Sequence, residues 1–167
     1  WYLPEEKQLK TASAFHDHLC AMLGGRAAEE IIFREVSSGA LDDLEKVTRE
    51  AYMMIAFYGF NKKIGNISFY DSTGTREGFQ KPYSEETAAL IDEEVRQLVH
   101  QSYEQAKTIL RQNKLSLTRV AELLLQKEVI FKEDLEKILG ERSNGNGVPQ
   151  KKEMEKRTPA TVTFFRK

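Results

Sequence analysis

The feature that most restricts the fold is an apolar stripe with helical spacing in residues 44–58. Apolar side chains recur there at steps of three and four residues: Leu44, Val47, Ala51, Met54, Ile55 and Tyr58. Such spacing places them on one face of an α-helix, and that face must be buried against other elements. A polar turn at residues 37–40 leads into the helix, and Gly59 suits its C-terminal end. The pattern therefore predicts a helix over about residues 41–58.

The two carboxylates at the start of this helix point in different directions. At about 100° of turn per residue, Asp43 lies about 70° from the centre of the apolar stripe and Asp42 about 170° from it. Asp43 is therefore expected at the edge of the core and Asp42 in solvent. A carboxylate at such an edge is costly unless it is paired, hydrogen-bonded or bound to a metal. Asp43 could cap the helix through its backbone amides, or it could have a functional role.

Helical spacing also covers residues 11–33. Thr11 or Ser13 can cap this helix, and its core face contains Phe15, Leu19, Met22 and Leu23. Gly24 and Gly25 inside it would each cost about 1 kcal/mol relative to alanine. Strong helix formers on both sides favour a continuous helix, with another backbone packed closely against the two glycines, over a break.

A long third helix is predicted from Ser84, its N-cap, to about residue 111. Its stripe contains Ile91, Val95, Leu98, Ser102, Ala106 and Ile109. Two shorter helices follow, over about 116–127 and 132–139, and Gly140 ends the second. The inward positions of the first are Leu117, Val120, Ala121 and Leu124.

These segments predict a mainly α fold, a helical bundle of about five helices with one short strand-like segment at residues 67–70. We expect residues 1–140 to form the domain. Residues 141–167 contain a Ser-Asn-Gly-Asn-Gly run from residue 143, and the stretch after it is rich in Lys and Glu. They contain too little apolar surface to fold alone, so they are expected to be a flexible C-terminal tail.

Composition excludes several classes of function. The formal net charge is −1 and the sequence pI is near 6.4, so charge provides no attraction to nucleic acid. The single cysteine, Cys20, cannot form an internal disulfide and is expected to be a buried structural thiol. Neither a signal peptide nor a membrane-spanning run is visible, so this chain itself is expected to be soluble. Because it begins at Trp1, we expect it to be a piece of a longer protein.

No complete active site can be assembled from the sequence. Its histidines are His16, His18 and His100. The first two point about 200° apart on a helix, so they cannot hold one metal ion together and are expected to be surface or interface residues. A second candidate set is Arg26, Glu29 and Glu30. Arg26 could pair with either glutamate on one helix face, or these charges could face a site on a neighbouring helix.

Five segments together resemble the peptidase domain of the FtsH family, the membrane-bound ATP-dependent zinc metalloproteases. In chain order they read Tyr-Leu-Pro-Glu-Glu from residue 2, Leu-Gly-Gly-Arg-Ala-Ala-Glu-Glu from 23, Val-Ser-Ser-Gly-Ala-Leu-Asp-Asp-Leu from 36, Tyr-Gly-Phe from 58 and Lys-Pro-Tyr-Ser from 81. Their order and spacing match the family over about residues 1–142. The resemblance does not separate bacterial from mitochondrial members.

The resemblance implies a zinc site that is only partly in this chain. In the family, two histidines of a His-Glu-x-x-His helix and one later aspartate hold zinc, and the motif glutamate is the general base. The aspartate matches Asp43. Three protein ligands leave one zinc position for the water that attacks the peptide carbonyl. Glu29 matches a family glutamate expected either to orient a ligand histidine or to be purely structural.

The family also implies parts that lie upstream of Trp1: the His-Glu-x-x-His helix, membrane anchors and an ATPase module that binds ATP and Mg. The whole protein would be a homo-hexamer that degrades unfolded or membrane proteins, anchored in the bacterial inner membrane with this domain on the cytoplasmic side. The isolated chain is expected neither to bind zinc tightly nor to cleave peptides. The alternative is a non-catalytic helical interaction module on a protease-like scaffold.

Overall fold

A computed structural model describes residues 9–70 and 82–140 of the chain, and the expected tail at 141–167 lies outside these ranges. Within them the fold is mainly α, as predicted. The helices are α1 (Ala12–Met22), α2 (Gly24–Phe33), α3 (Leu41–Tyr52), α4 (Glu85–Gln112), α5 (Lys114–Lys127) and α6 (Lys132–Leu139). A 3₁₀ turn, Ser38–Ala40, precedes α3, and a π-helix, Met53–Phe57, follows it.

The chain divides into two compact units between Leu117 and Thr118. In the first unit, α1, α2 and α3 all contact α4, which is the longest helix. Its predicted stripe is buried from Ile91 to Ala106, whereas Ile109 is 47% exposed and the expectation for that residue was wrong. The main core lies between these helices and contains Phe15, Leu19, Leu23, Val47, Ala51, Met54, Ile55, Ala56, Ile64, Ile91, Val95 and Leu98.

Several helix ends agree with the sequence. Thr11 caps α1 by accepting a hydrogen bond from the Ala14 amide at 3.2 Å, and Ser84 caps α4 by accepting one from the Thr87 amide at 3.2 Å. Gly59 has φ +65°, the left-handed conformation expected after a helix end. Each of these ends uses a local side-chain or backbone preference that is readable from the sequence alone.

The expected continuous helix through the two glycines is wrong. The helical run is divided at Leu23, whose side chain is 2% exposed. A Cβ added to Gly24 or Gly25 would meet no described atom within 4 Å, so no described backbone packs closely there. The low helix propensity of glycine makes this a favourable place for the break.

The other differences lie in the later elements. Residues 67–70 are not a strand in the described structure; instead the Phe69 amide donates to the Ala56 carbonyl at 2.8 Å. No described residue of α5 or α6 is buried, and Ala121 and Leu124, both expected inward, are exposed. Among the described helices, none has the length and apolar character needed to cross a lipid bilayer.

The predicted single helix over 41–58 is modified near its end. The π-helix begins at Met53, and the Tyr58 amide donates to the Met53 carbonyl at 3.0 Å, one residue further back than in an α-helix. The Phe60 amide then reaches the Met54 carbonyl at 3.1 Å. Apolar spacing alone does not distinguish these hydrogen-bonding patterns, because both bury Met54 and Ile55.

We expect Gly59→Ala to lower the free energy of unfolding by about 1 to 2 kcal/mol, because alanine is strained at positive φ. The matched control is Gly25→Ala, which lies in a helix with open space at its Cβ position. That substitution should raise the free energy of unfolding by up to about 1 kcal/mol. Urea unfolding of the chain measures both, and equal effects of the two substitutions would contradict the backbone argument.

Glu94 should make the fold sensitive to acid. This buried carboxylate accepts hydrogen bonds from Lys63 Nζ at 2.5 Å and Asn61 Nδ2 at 2.7 Å, and the Lys63 and Asn61 contacts, in that order, lower its pKa. Its stabilising contribution is complete above the ordinary glutamate pKa of about 4.3 and is lost as the pH falls through the lower folded value.

Unfolding experiments at several pH values should therefore show stability falling below about pH 4.3. Glu94→Gln should flatten that part of the curve and lower stability at pH 7. Glu93→Gln, at the neighbouring exposed position paired with Arg96, is the control and should leave the acid-dependent fall in place. A Glu94→Gln curve parallel to that of the unsubstituted chain would refute the assignment.

Candidate metal centre

Asp43 lies in the first turn of α3, immediately after the 3₁₀ turn. Asp43 is half-buried, whereas the Asp42 side chain is 75% exposed and pairs with Lys46 Nζ at 2.5 Å. The helical phase therefore predicted the directions of both carboxylates correctly. Asp43 borders the main core, and its neighbour Leu44 packs against that core.

The carboxylate of Asp43 has no hydrogen-bond or ion-pair partner among residues 9–70 and 82–140. The start of α3 also has no side-chain cap. Asp43 therefore does not cap α3 through a side-chain hydrogen bond to its backbone amides. A half-buried carboxylate with no hydrogen-bond or ion-pair partner among the described residues has oxygen lone pairs available to coordinate a metal.

Glu29 holds the turn that precedes Asp43. The Ser37 amide donates to Glu29 Oε2 at 2.9 Å, and the Ser37 hydroxyl donates to Glu29 Oε1 at 2.8 Å. These contacts, the amide first and the hydroxyl second, keep the pKa of the Glu29 carboxyl group below its ordinary value. Glu29 is thus ionised at neutral pH and bound to the loop between α2 and α3.

Arg26 and Glu30 have separate surroundings. Among the described residues, Arg26 forms no ion pair with Glu29 or Glu30. Glu30 instead faces α4, where it accepts hydrogen bonds from the Tyr103 hydroxyl at 2.5 Å and Lys107 Nζ at 3.1 Å. Glu30 thus contacts a neighbouring helix, although its partners there form a hydrogen bond and an ion pair with it. Its pKa is lowered first by Tyr103 and then by Lys107.

A groove of about 630 Å³ opens between α2, α3 and α4. Its mainly apolar wall includes Leu44, the residue after Asp43, and it extends along α3 to Tyr52. Arg26 and His100 add polar groups to its wall. The residue that follows the candidate carboxylate therefore lines an open, mainly apolar surface.

The histidines are not grouped around Asp43. His18 is about half exposed, and its Nδ1 lies 2.7 Å from Oε2 of the buried Glu50. The described residues contain no cluster of three or more histidine, cysteine or acidic side chains suited to a metal. Cys20 is buried as predicted and donates to the Ser102 carbonyl at 3.3 Å; burial is the main cause of its raised pKa.

Sequence reasoning missed two contacts, that of Glu50 with His18 and that of Ser37 with Glu29. Glu50 lies three residues after Val47 and four before Met54, so its helical phase could have identified it as a buried acid. Ser37 was recognised only as part of a polar turn. No local pattern indicated that its partner would be Glu29, on the preceding helix.

The chain was compared with known proteins. The model of peptidase family M41 matches residues 1–138. The ATP-dependent zinc metalloprotease FtsH of Parabacteroides distasonis is 50% identical over 143 residues, which cover 86% of this chain and 21% of that protein.

Mitochondrial proteins are also similar to it. FTSH 3 of Arabidopsis thaliana, named an ATP-dependent zinc metalloprotease, is 46% identical over 84% of this chain and 17% of its own length. The mouse m-AAA protease component AFG3L2 of the mitochondrial inner membrane is 45% identical over 84% of this chain and 18% of its own length. The chain thus spans about a fifth of the length of these relatives.

The stability of the chain should reveal that Asp43 is not a cap. We expect Asp43→Asn to change the free energy of unfolding by less than about 0.5 kcal/mol in 0.5 M NaCl, which screens the helix dipole. Ser84→Ala removes a real cap contact and should cost about 1 kcal/mol. Urea unfolding compares the two variants, and an Asp43→Asn loss as large as that of Ser84→Ala would restore the capping interpretation.

Proposed function

The chain belongs to peptidase family M41, and from this premise we propose that it supplies the third zinc ligand and part of the scaffold of a membrane-anchored ATP-dependent zinc metalloendopeptidase. The observation that supports this role is Asp43. By the resemblance, Asp43 matches the family aspartate. Its carboxylate lies half-buried at the start of α3 and has no hydrogen-bond or ion-pair partner among the described residues.

The residues present fit one part of a zinc site. Asp43 offers a carboxylate oxygen, a common zinc ligand, and its partial burial limits competition from water. When bound, zinc would act as a Lewis acid on the peptide carbonyl and would lower the pKa of a water molecule. The contribution of this chain is to hold one negative oxygen at the edge of a rigid helix. The two histidine ligands and the general base would come from the upstream His-Glu-x-x-His helix.

The groove beside Asp43 is a suitable seat for that upstream helix. Its walls are formed by α2, α3 and α4, and its apolar lining includes Leu44 and Val99. Burying this lining would stabilise the docked helix by about 25 cal/mol per Å² of apolar surface removed from water. A helix in this groove would contact Leu44, the residue that follows Asp43, and we propose that this brings its histidines to the Asp43 carboxylate.

The activity of the whole protein follows from the family. It would be a homo-hexamer in the bacterial inner membrane, with this domain on the cytoplasmic side, or the mitochondrial equivalent. An ATPase module with bound ATP and Mg would unfold membrane and soluble proteins and deliver them to the zinc site. The isolated chain, with one proposed ligand, would be inactive.

Asp43→Asn in the full-length protein that contains this chain tests the proposal. Zinc content should fall from about one per subunit towards zero, because a neutral amide is a poor third ligand. Casein hydrolysis should be lost, while ATP hydrolysis should largely persist. Metal analysis of the purified protein and both activity assays measure these outcomes.

The matched control is Asp42→Asn, which changes the neighbouring, exposed carboxylate. It should leave zinc content and casein hydrolysis near those of the unsubstituted protein. Unchanged zinc content in Asp43→Asn would exclude Asp43 as a ligand and would favour the interaction-module alternative. Chelator-sensitive casein hydrolysis by the isolated chain would contradict its proposed inactivity.

A further inference from the structure

The side chain of Glu29 closes the loop between α2 and α3. Arg34 leaves α2 in the left-handed conformation, with φ 60°, and the chain returns so that Ser37 contacts Glu29. Both oxygens of the Glu29 carboxylate are used, one by the Ser37 amide and one by its hydroxyl. A two-point contact restricts rotation as well as distance, so it fixes how Ser37 is oriented.

Ser37 passes this restraint to the start of α3. Its hydroxyl donates to Glu29 and also accepts a hydrogen bond from the Gly39 amide at 3.2 Å. The Leu41 amide in turn donates to the Ser38 carbonyl, which closes the 3₁₀ turn. Leu41 is the first residue of α3, and Asp43 lies in the same turn. A continuous series of contacts therefore joins Glu29 to the element that carries Asp43.

The helix that carries Glu29 is itself firmly held. Ala27 is fully buried against α4, and Glu30 binds Tyr103 and Lys107 of that helix. Glu29 and Glu30 are adjacent, yet one binds the loop before α3 and the other binds α4. This difference makes Glu30 an internal control for any effect of Glu29.

We propose that Glu29 is a positioning residue that acts through Ser37 to set the place of Asp43, and so controls metal affinity without touching the metal. This inference rests on the proposed role of Asp43 as a zinc ligand. It differs from the expected role of Glu29 in orienting a histidine, because the restraint is on the carboxylate ligand. It also gives Ser37 a function that neither composition nor motif spacing indicated.

The test is a double-mutant cycle on zinc affinity in the full-length protein, measured by competition with a chelator. Glu29→Ala and Ser37→Ala should each weaken zinc binding about 10- to 100-fold, the range found when residues that orient a ligand are changed. The double variant should bind zinc no more weakly than the single variant with the lower zinc affinity, because both substitutions act through one contact. Ser37→Thr keeps a hydroxyl and should restore most of the affinity.

A second measurement uses this chain without zinc. Hydrogen exchange at the Gly39 and Leu41 amides should become faster in Glu29→Ala and Ser37→Ala, because the turn loses its anchor. Glu30→Ala is the control for general destabilisation. It should lower the stability of the chain, yet leave zinc affinity in the full-length protein within about twofold, since such effects at independent sites are separable.

The outcomes separate this inference from the proposed function. If Ser37→Ala keeps the original zinc affinity while Asp43→Asn loses zinc, the positioning role is wrong and the ligand role stands. Additive effects of Glu29→Ala and Ser37→Ala would likewise overturn it, since Glu29 would then act elsewhere. If Asp43→Asn retains zinc, the proposed function itself fails.

Discussion

The first compact unit depends on the burial of one apolar stripe on α4. Ile91, Val95 and Leu98 are each at most 7% exposed, and burial of side chains of this size stabilises a fold by about 1.5 to 3 kcal/mol each. Three other helices pack on α4, so this burial brings together segments that are far apart in sequence. Because α2 and α3 both pack on α4, the two ends of the loop between them are held by that helix. Packing on α4 therefore places the helices that carry Glu29 and Asp43, and the contacts of Glu29 with Ser37 restrain the turn between them.

Polar residues at the edge of this core are paired, and the exception is informative. Glu94 binds Lys63 and Asn61, Glu50 contacts His18, and Glu30 binds Tyr103 and Lys107. A buried acid without such a partner pays a desolvation cost, so pairing is the expected arrangement. Asp43 is half-buried without a hydrogen-bond or ion-pair partner among the described residues, although the other buried and half-buried acids of this unit are paired. That contrast supports a ligand role better than the residue type alone does.

Sequence reasoning succeeded where the governing interaction is local. The three- and four-residue spacing predicted the helices and the direction of Asp43, and the caps at Ser84 and Gly59 depend on residues near them in the chain. It failed where the choice depends on a distant partner. Glu30 and Lys107 are separated by 77 residues, and periodicity on α2 cannot indicate which residue of α4 will face it. Residue spacing also left two choices open. It allowed either a continuous helix or a break at the two glycines, and it does not distinguish the π-helix at Met53 from an α-helix, because both bury Met54 and Ile55.

The proposed zinc site, divided between two segments, would have a physical consequence. Asp43 alone would provide one ligand, and one carboxylate oxygen does not hold zinc against water, so tight binding would require the histidine helix to be docked at the same time. Metal binding would then be coupled to assembly of the domain, and misplacing either segment would lower affinity. Under this arrangement the rigidity of the turn before α3 matters as much as the chemistry of its carboxylate. Under this proposal, the contacts of Glu29 with Ser37 belong to the metal centre, although both residues lie outside the set of ligands.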